Sequence, residues 1–186
     1  LVTALYNIVD QIFIGQGIGI NGNAATNITF PLSTTCTAIS LLLGIGSATN
    51  VSLKLGAKEE EEAANYAGCG ICLMTIFGLA LFAFTSILLT PMLKFFGATA
   101  EVLPYAQEYT RIVAIGFPFL ILTTGSGHLI RADGRPKISM ICNLTGAVIN
   151  TILDALFVSV LQMGMAGAAI ATVIGQVISA GLVIWF

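Results

Sequence analysis

QIFIGQGIGINGNAATNITFPLSTTCTAISLLLGIGSATNVSL, residues 11–53, runs for 43 residues without Asp, Glu, Lys or Arg. A helix that crosses a bilayer needs about 20 mostly apolar residues. The stretch is too long for one such helix, and Gly15, Gly17, Gly19, Asn21, Gly22 and Asn23 predict a turn within it. The same absence of charge recurs over 63–93, 112–130 and 155–186. The chain of 186 residues is 56% hydrophobic and 9% charged, with a mean hydropathy of +0.96. Soluble domains carry about 25% charged residues, so a fold of this size in water could not hide its apolar surface. The lipid bilayer is its expected solvent.

Six spans follow, at 1–19, 24–52, 63–90, 102–129, 138–160 and 167–186, the first and last truncated. Backbone groups in lipid must be satisfied within the chain, which favours helices. A membrane barrel would show alternating segments of about ten residues, and these runs are too continuous for that. The fold class is therefore an all-α membrane protein, a six-transmembrane-helix bundle. The chain begins at Leu1 and ends at Phe186, both inside apolar runs, which predicts a piece of a longer polypeptide. Lys54, Lys58, Arg131, Arg135 and Lys137 fall in the second and fourth loops, against Lys94 alone on the opposite side. The excess of basic residues places loops 53–62 and 130–137 in the cytoplasm of a multi-pass plasma-membrane protein. Glu59–Glu62 suits a helix N-terminus, and a solvated helix start is its ordinary reading. Glu108 and Arg111 are spaced to pair along one helix.

Other signals are discounted. A net charge of −2 with seven basic residues, most of them in loops, builds no phosphate-binding face, so no nucleic acid partner is expected. Cys36, Cys69, Cys72 and Cys142 lie in apolar stretches, where a free thiol packs as a small hydrophobe. Cys69 and Cys72 have CxxC spacing but no βαβ context. His128 is the only histidine and makes no metal site alone. Gly15, Gly17 and Gly19 lack the βαβ unit of a dinucleotide fingerprint. The glycosylation sequons at Asn27, Asn50 and Asn143 fall at membrane depth or on the cytoplasmic side.

Two carboxylates stand where lipid disfavours them, Asp10 in the first span and Asp154 in the fifth. Each follows an asparagine by one helical turn, Asn7 and Asn150, whose amide can donate to a charged carboxylate. Polar stripes extend from them. Thr3, Asn7 and Asp10 share a face of the first span; Asn143, Gly146, Asn150 and Asp154 share one of the fifth; Thr172, Gln176 and Ser179 share one of the sixth. In the second span Thr26, Thr29, Ser33, Thr37, Ser40, Gly44 and Ser47 step by three or four. Hydroxyl and small residues line helix contacts in any membrane bundle, and packing is the stronger explanation of the second-span stripe. For the aspartates, which have no basic partner in their spans, function is the stronger one. A carboxyl in a wet cavity can exchange H⁺ for Na⁺ or an organic cation, and Asn150 and Thr172 supply the neutral oxygens that suit a hard cation. Thr3, Asn7, Thr29, Ser33 and Gln176 are candidates to line the cavity.

At these residues the sequence resembles the multidrug and toxic compound extrusion (MATE) family, specifically its N-terminal six-helix lobe. The resemblance is carried by LYNIVDQIFIGQGIG (5–19), LGIGSATNVSLKLGAKEEEEAANYA (43–67), FGATAEVLPYAQEYTRIVAIGFP (96–118), LIRADGRPK (129–137), GAVINTILDALFV (146–158) and GMAGAAIATVIGQ (164–176). It implies one lobe of a two-lobe, twelve-helix transporter that exports cationic amphipathic compounds against inward H⁺ or Na⁺, without a resident cofactor. It implies a cation or proton site at Asp10, Asn150, Asp154 and Thr172, a missing C-terminal lobe as partner, and no enzymatic activity. Many relatives carry a proline after the fifth-helix aspartate, where this chain has Ala155. A flippase for lipid-linked intermediates would need basic residues in its cavity, and the spans offer only Arg111 near an end. An intramembrane aspartyl protease would pair Tyr-Asp with Gly-x-Gly-Asp, and the contexts here are Val9-Asp10 and Leu153-Asp154. A purely structural membrane protein is the remaining alternative.

Overall fold

The structure is a computed structural model and describes residues 11–12, 14–15 and 19–185. Of the first span, only Gln11, Ile12, Ile14 and Gly15, all helical, and the non-helical Gly19 are described. Thr3, Asn7 and Asp10 lie outside the described residues.

Helix α1 covers Ile20–Gly56. It follows Gly19, whose φ of 89° is a conformation that side chains with a Cβ disfavour. The turn expected to run through Asn23 therefore ends at Gly19, and Asn21, Gly22 and Asn23 form the first turn of the helix. Asn and Gly suit a helix start as well as a loop, which is why composition placed them in the turn. At 37 residues, α1 is about 55 Å long and exceeds the hydrocarbon core of about 30 Å. In its last turn, Lys54 bonds Glu59 Oε2 at 2.6 Å and also pairs with Glu62. The two carboxylates raise the Lys54 pKa and tie α1 to the next helix.

Helix α2, Glu60–Ile87, opens on Glu60, Glu61 and Glu62. It was expected to reach residue 90, but it breaks at Leu88 and a short helix α3, Leu89–Phe95, follows. Pro91 has no N–H to offer the carbonyl of Ile87, and its ring crowds that carbonyl. Helix α4, Leu103–Ala132, is the centre of the bundle and packs against α1, α2, α5 and α6. Helix α5, Pro136–Asp154, continues as a π-helical turn over Ala155–Val160, and α6 is Gly164–Trp185. Five of these elements are long and apolar enough to cross a membrane: α1, α2, α4, α5 with its π turn, and α6.

Without a hydrophobic drive between helices in lipid, close packing of small residues holds the bundle together. A Cβ on Gly44 of α1 would stand 2.7 Å from Gly125 Cα of α4, and one on Gly78 of α2 would stand 2.6 Å from Pro118 Cα. A Cβ on Gly175 of α6 would stand 2.8 Å from the Gly146 carbonyl of α5. Buried hydroxyls bridge the same seams. Thr29 and Thr110 share a hydrogen bond of 2.8 Å, and Ser179 Oγ donates to Cys142 O at 2.9 Å. The expected Glu108–Arg111 pair does not form; the ion pairs among the described residues are Lys54 with Glu59 and Glu62, and Arg135 with Asp133. Both residues are exposed, where holding two long side chains together gains little.

Candidate cation site and cavity

The site is built on α5 and α6. Asp154 is fully buried and Asn150, one turn earlier, is 4% exposed. Asp154 ends the α-helical part of α5, and from Ala155 the winding widens. The widening is visible in the bond Leu161 N to Leu156 O, which spans five residues at 2.9 Å. A π turn admits one extra residue and recurs at functional sites. Gly167 of α6 makes room for it, since a Cβ there would stand 3.1 Å from Phe157 Cβ. The turn forms with Ala155 in place, so no proline is needed to break the α-helical winding after Asp154.

Spacing suggested that Asn150 donates to Asp154. Its Nδ2 donates across to Thr172 Oγ1 at 3.4 Å. The reason is the Gly146–Gly175 approach, which brings Asn150 Cβ to 3.0 Å from where a Gly175 Cβ would sit and draws Thr172 within reach. Thr172 Oγ1 donates its own proton to Ala168 O at 3.0 Å. Asn150 Oδ1, Gln176 Oε1 and Thr123 Oγ1 are buried oxygens without a hydrogen-bond partner among the described residues. All three residues line one small cavity of about 110 Å³ between α4, α5 and α6, with Asn143, Thr172 and Ser179. Unpartnered buried oxygens are costly, and a polar space of this size has room for water or a cation.

A larger cavity of about 930 Å³ lies beside it. Thr29, Ser33, Thr37 and Asn27 of α1, Thr124 of α4, Asn143 of α5, and Thr172 and Gln176 of α6 supply neutral polar groups, while Phe30, Val113 and Met140 supply apolar ones. Gln11 also lines it and donates to Thr26 Oγ1 at 2.8 Å. The second-span stripe divides by role: Ser40 and Gly44 are buried against α4, Ser33 and Thr37 turn to the cavity, and Thr29 does both. The sequence missed Arg131, which was assigned to the fourth loop but lines this cavity from the last turn of α4. Helical side chains lean toward their own N-terminus, and that rule would have carried the guanidinium of this exposed residue back along α4 toward the cavity. Thr123 and Thr124 were also missed, although two adjacent hydroxyls in an apolar run were a visible signal. Among the described residues no group of three His, Cys, Asp or Glu side chains could hold a metal ion.

The described helices form a polytopic bundle whose polar residues gather around internal cavities. The comparisons give the family. The chain belongs to the MatE family, whose sequence profile matches residues 1–156. It is 31% identical over 179 residues to the multidrug export protein MepA of Staphylococcus haemolyticus, covering 96% of this chain and 40% of that protein. It is 27% identical over 181 residues to the FAD transporter of Shewanella oneidensis, covering 95% of this chain and 40% of that one. Its fold superposes, with a TM-score of 0.92 and 26% identity, on an inward-facing multidrug resistance MATE family transporter of the MOP superfamily, covering 100% of this chain and 42% of the other. The chain thus spans about 40% of the length of these relatives and matches one lobe of a larger MATE-fold transporter. It is a multi-pass plasma-membrane protein of a family of transporters, not of enzymes.

Proposed function

We propose that the chain forms one lobe of a cation-coupled multidrug exporter, in which H⁺ or Na⁺ enters as a small amphipathic, cationic compound leaves. The coupling ion is held at Asp154, Asn150 and Thr172, with Asp10 of the first span completing the site. One observation carries this most directly. A carboxylate is fully buried at the junction with a π turn, and one turn before it begins a set of unpartnered oxygens beside a polar cavity. A buried intramembrane carboxylate is costly unless it serves a pathway or a partner, and neutral oxygens suit a hard cation or a hydrated proton. The MepA relatives support multidrug export. Occupation of the site would shift the first span against α5 and α6, and so reshape the larger cavity, in the manner of repeat-built transporters. The rest of the polypeptide would supply the opposing cavity wall.

The test is efflux of a fluorescent cationic dye by the full-length protein in vesicles, under separate Na⁺ and pH gradients. One gradient should drive efflux, and Asp154→Asn should lower the driven rate by about tenfold or more, the scale of a strong coupling free energy. Efflux by Asp154→Asn and by Asp10→Asn at the parental rate would remove the coupling role.

A further inference from the structure

Arg131 is the only charged side chain among the described residues that line the larger cavity, and no described carboxylate joins it there. Its Nε donates to Ser139 Oγ on α5 at 3.2 Å, and Ser139 is fully buried. That bond holds the guanidinium in the cavity wall and leaves both Nη groups to other partners. A second donor stands beside it. Arg131 Nη2 and Asn143 Nδ2 would each be 3.7 Å from a Cβ on Gly127, so both donors flank that bare glycine. Asn143 spends one amide hydrogen on Ser139 O at 2.8 Å and keeps the other. The nearest acid along the chain, Asp133, is paired with Arg135 at 3.2 Å.

A guanidinium in a cavity wall, with free donors and no paired carboxylate among the described residues, is matched to a planar or tetrahedral oxyanion. Phe30, Met140 and Leu144 line the same cavity and offer apolar surface to the body of an amphiphile. We propose that Arg131 and Asn143 form an anion subsite that takes the carboxylate or phosphate of a small amphipathic compound, so that the cavity accepts zwitterionic and anionic molecules as well as cations. Its meaning for transport rests on the exporter function proposed above, whereas binding at the subsite does not. The subsite also removes the ground on which an anionic cargo was set aside, the lack of basic residues in the cavity.

The test measures binding to the purified full-length transporter in phosphatidylcholine nanodiscs, by fluorescence anisotropy and without an ion gradient. The probes are a rhodamine with a free benzoate and the same dye as its methyl ester. Loss of one charge-assisted contact corresponds to about tenfold in Kd. The ratio of benzoate to ester affinity should therefore fall about tenfold in Arg131→Gln. Asn143→Asp, which sets a carboxylate beside the guanidinium, should lower the ratio in the same direction and covers the case of a variant that does not fold. An unchanged ratio in both variants would overturn the proposal. So would an ester and a benzoate that bind alike to the parent protein. Nanodiscs containing phosphatidylglycerol separate the sources of the oxyanion: if the benzoate preference vanishes there and returns with phosphatidylcholine, the site belongs to a lipid headgroup and the cargo assignment is wrong. Failure of any ion gradient to drive efflux of the ester dye would sink the exporter function and leave the binding ratio standing.

Discussion

Gly44 and Gly125 meet backbone to backbone, and no side chain separates α1 from α4 at that point. A methyl group at Gly44 has no flexible neighbour to push aside, because the atoms it would strike are the Cα and carbonyl of Gly125. Gly44→Ala should destabilise the protein by about 1–3 kcal/mol, as overpacking of a tight core does. Gly46, two residues on, has open space around its would-be Cβ, and Gly46→Ala should be neutral or slightly stabilising through helix propensity. Thermal unfolding of the detergent-solubilised full-length protein distinguishes the two; equal midpoints would show that the seam relaxes freely. Asp154 and Arg131 belong to the same scale. One is hidden at the end of a helical segment and the other faces a cavity.

At the scale of the element, the π turn after Asp154 decides how α5 ends. The Ala155 N–H is shared between Thr151 O and Ile152 O, so the α-helical ladder is already loosened where a proline would break it. Proline in a helix interior costs about 3 kcal/mol. Ala155→Pro should cost roughly half that, since the bond it removes is a shared one, whereas Ala147→Pro in the regular part of α5 should cost the full amount. Unfolding midpoints of the two variants check this, and equal losses would mean that the widened turn gives no tolerance. The Lys54 clip between α1 and α2 acts in the opposite sense, closing a loop. Its partners raise the lysine pKa, so its contribution is complete below the ordinary lysine range and fades only as pH climbs through the raised value. Neutral pH leaves it intact, and added salt weakens it because the groups are exposed.

For the whole molecule, sidedness follows from the loops. Basic residues flank the α1–α2 and α4–α5 connections, and the α3 side carries Lys94 and Glu101. In a cysteine-free background of the full-length protein, Lys58→Cys should react with a membrane-impermeant maleimide only in inside-out vesicles. Glu101→Cys should react from the outside of intact cells. Reversed labelling would invert the assigned topology. Removing the native thiols should be tolerated at the surface, because Cys69 and Cys72 are exposed on α2, whereas Cys36 and Cys142 are buried and need substitutes of similar size.

Long charge-free runs, their glycine punctuation and the bias of basic loops determined a helical membrane bundle, because lipid leaves the backbone no alternative. The same patterns singled out Asp154, Asn150 and Thr172, since polar side chains at helical spacing share a face wherever the helix is packed. Helix ends were less legible: Asn21–Asn23 suit a turn and a helix start equally, and the break at Leu88 depends on a proline acting four residues back. Which partner Asn150 takes was not legible at all, because it depends on how closely α5 and α6 approach across Gly146 and Gly175. Nor was the place of Arg131 on the cavity wall, which a linear reading counts as loop. Sequence by itself determined which residues are too polar for lipid; only the packing of α4, α5 and α6 decided which of them face a cavity and which bond one another. The physical reason is that burial in lipid is set by composition along one helix, while a site is set by distances between helices.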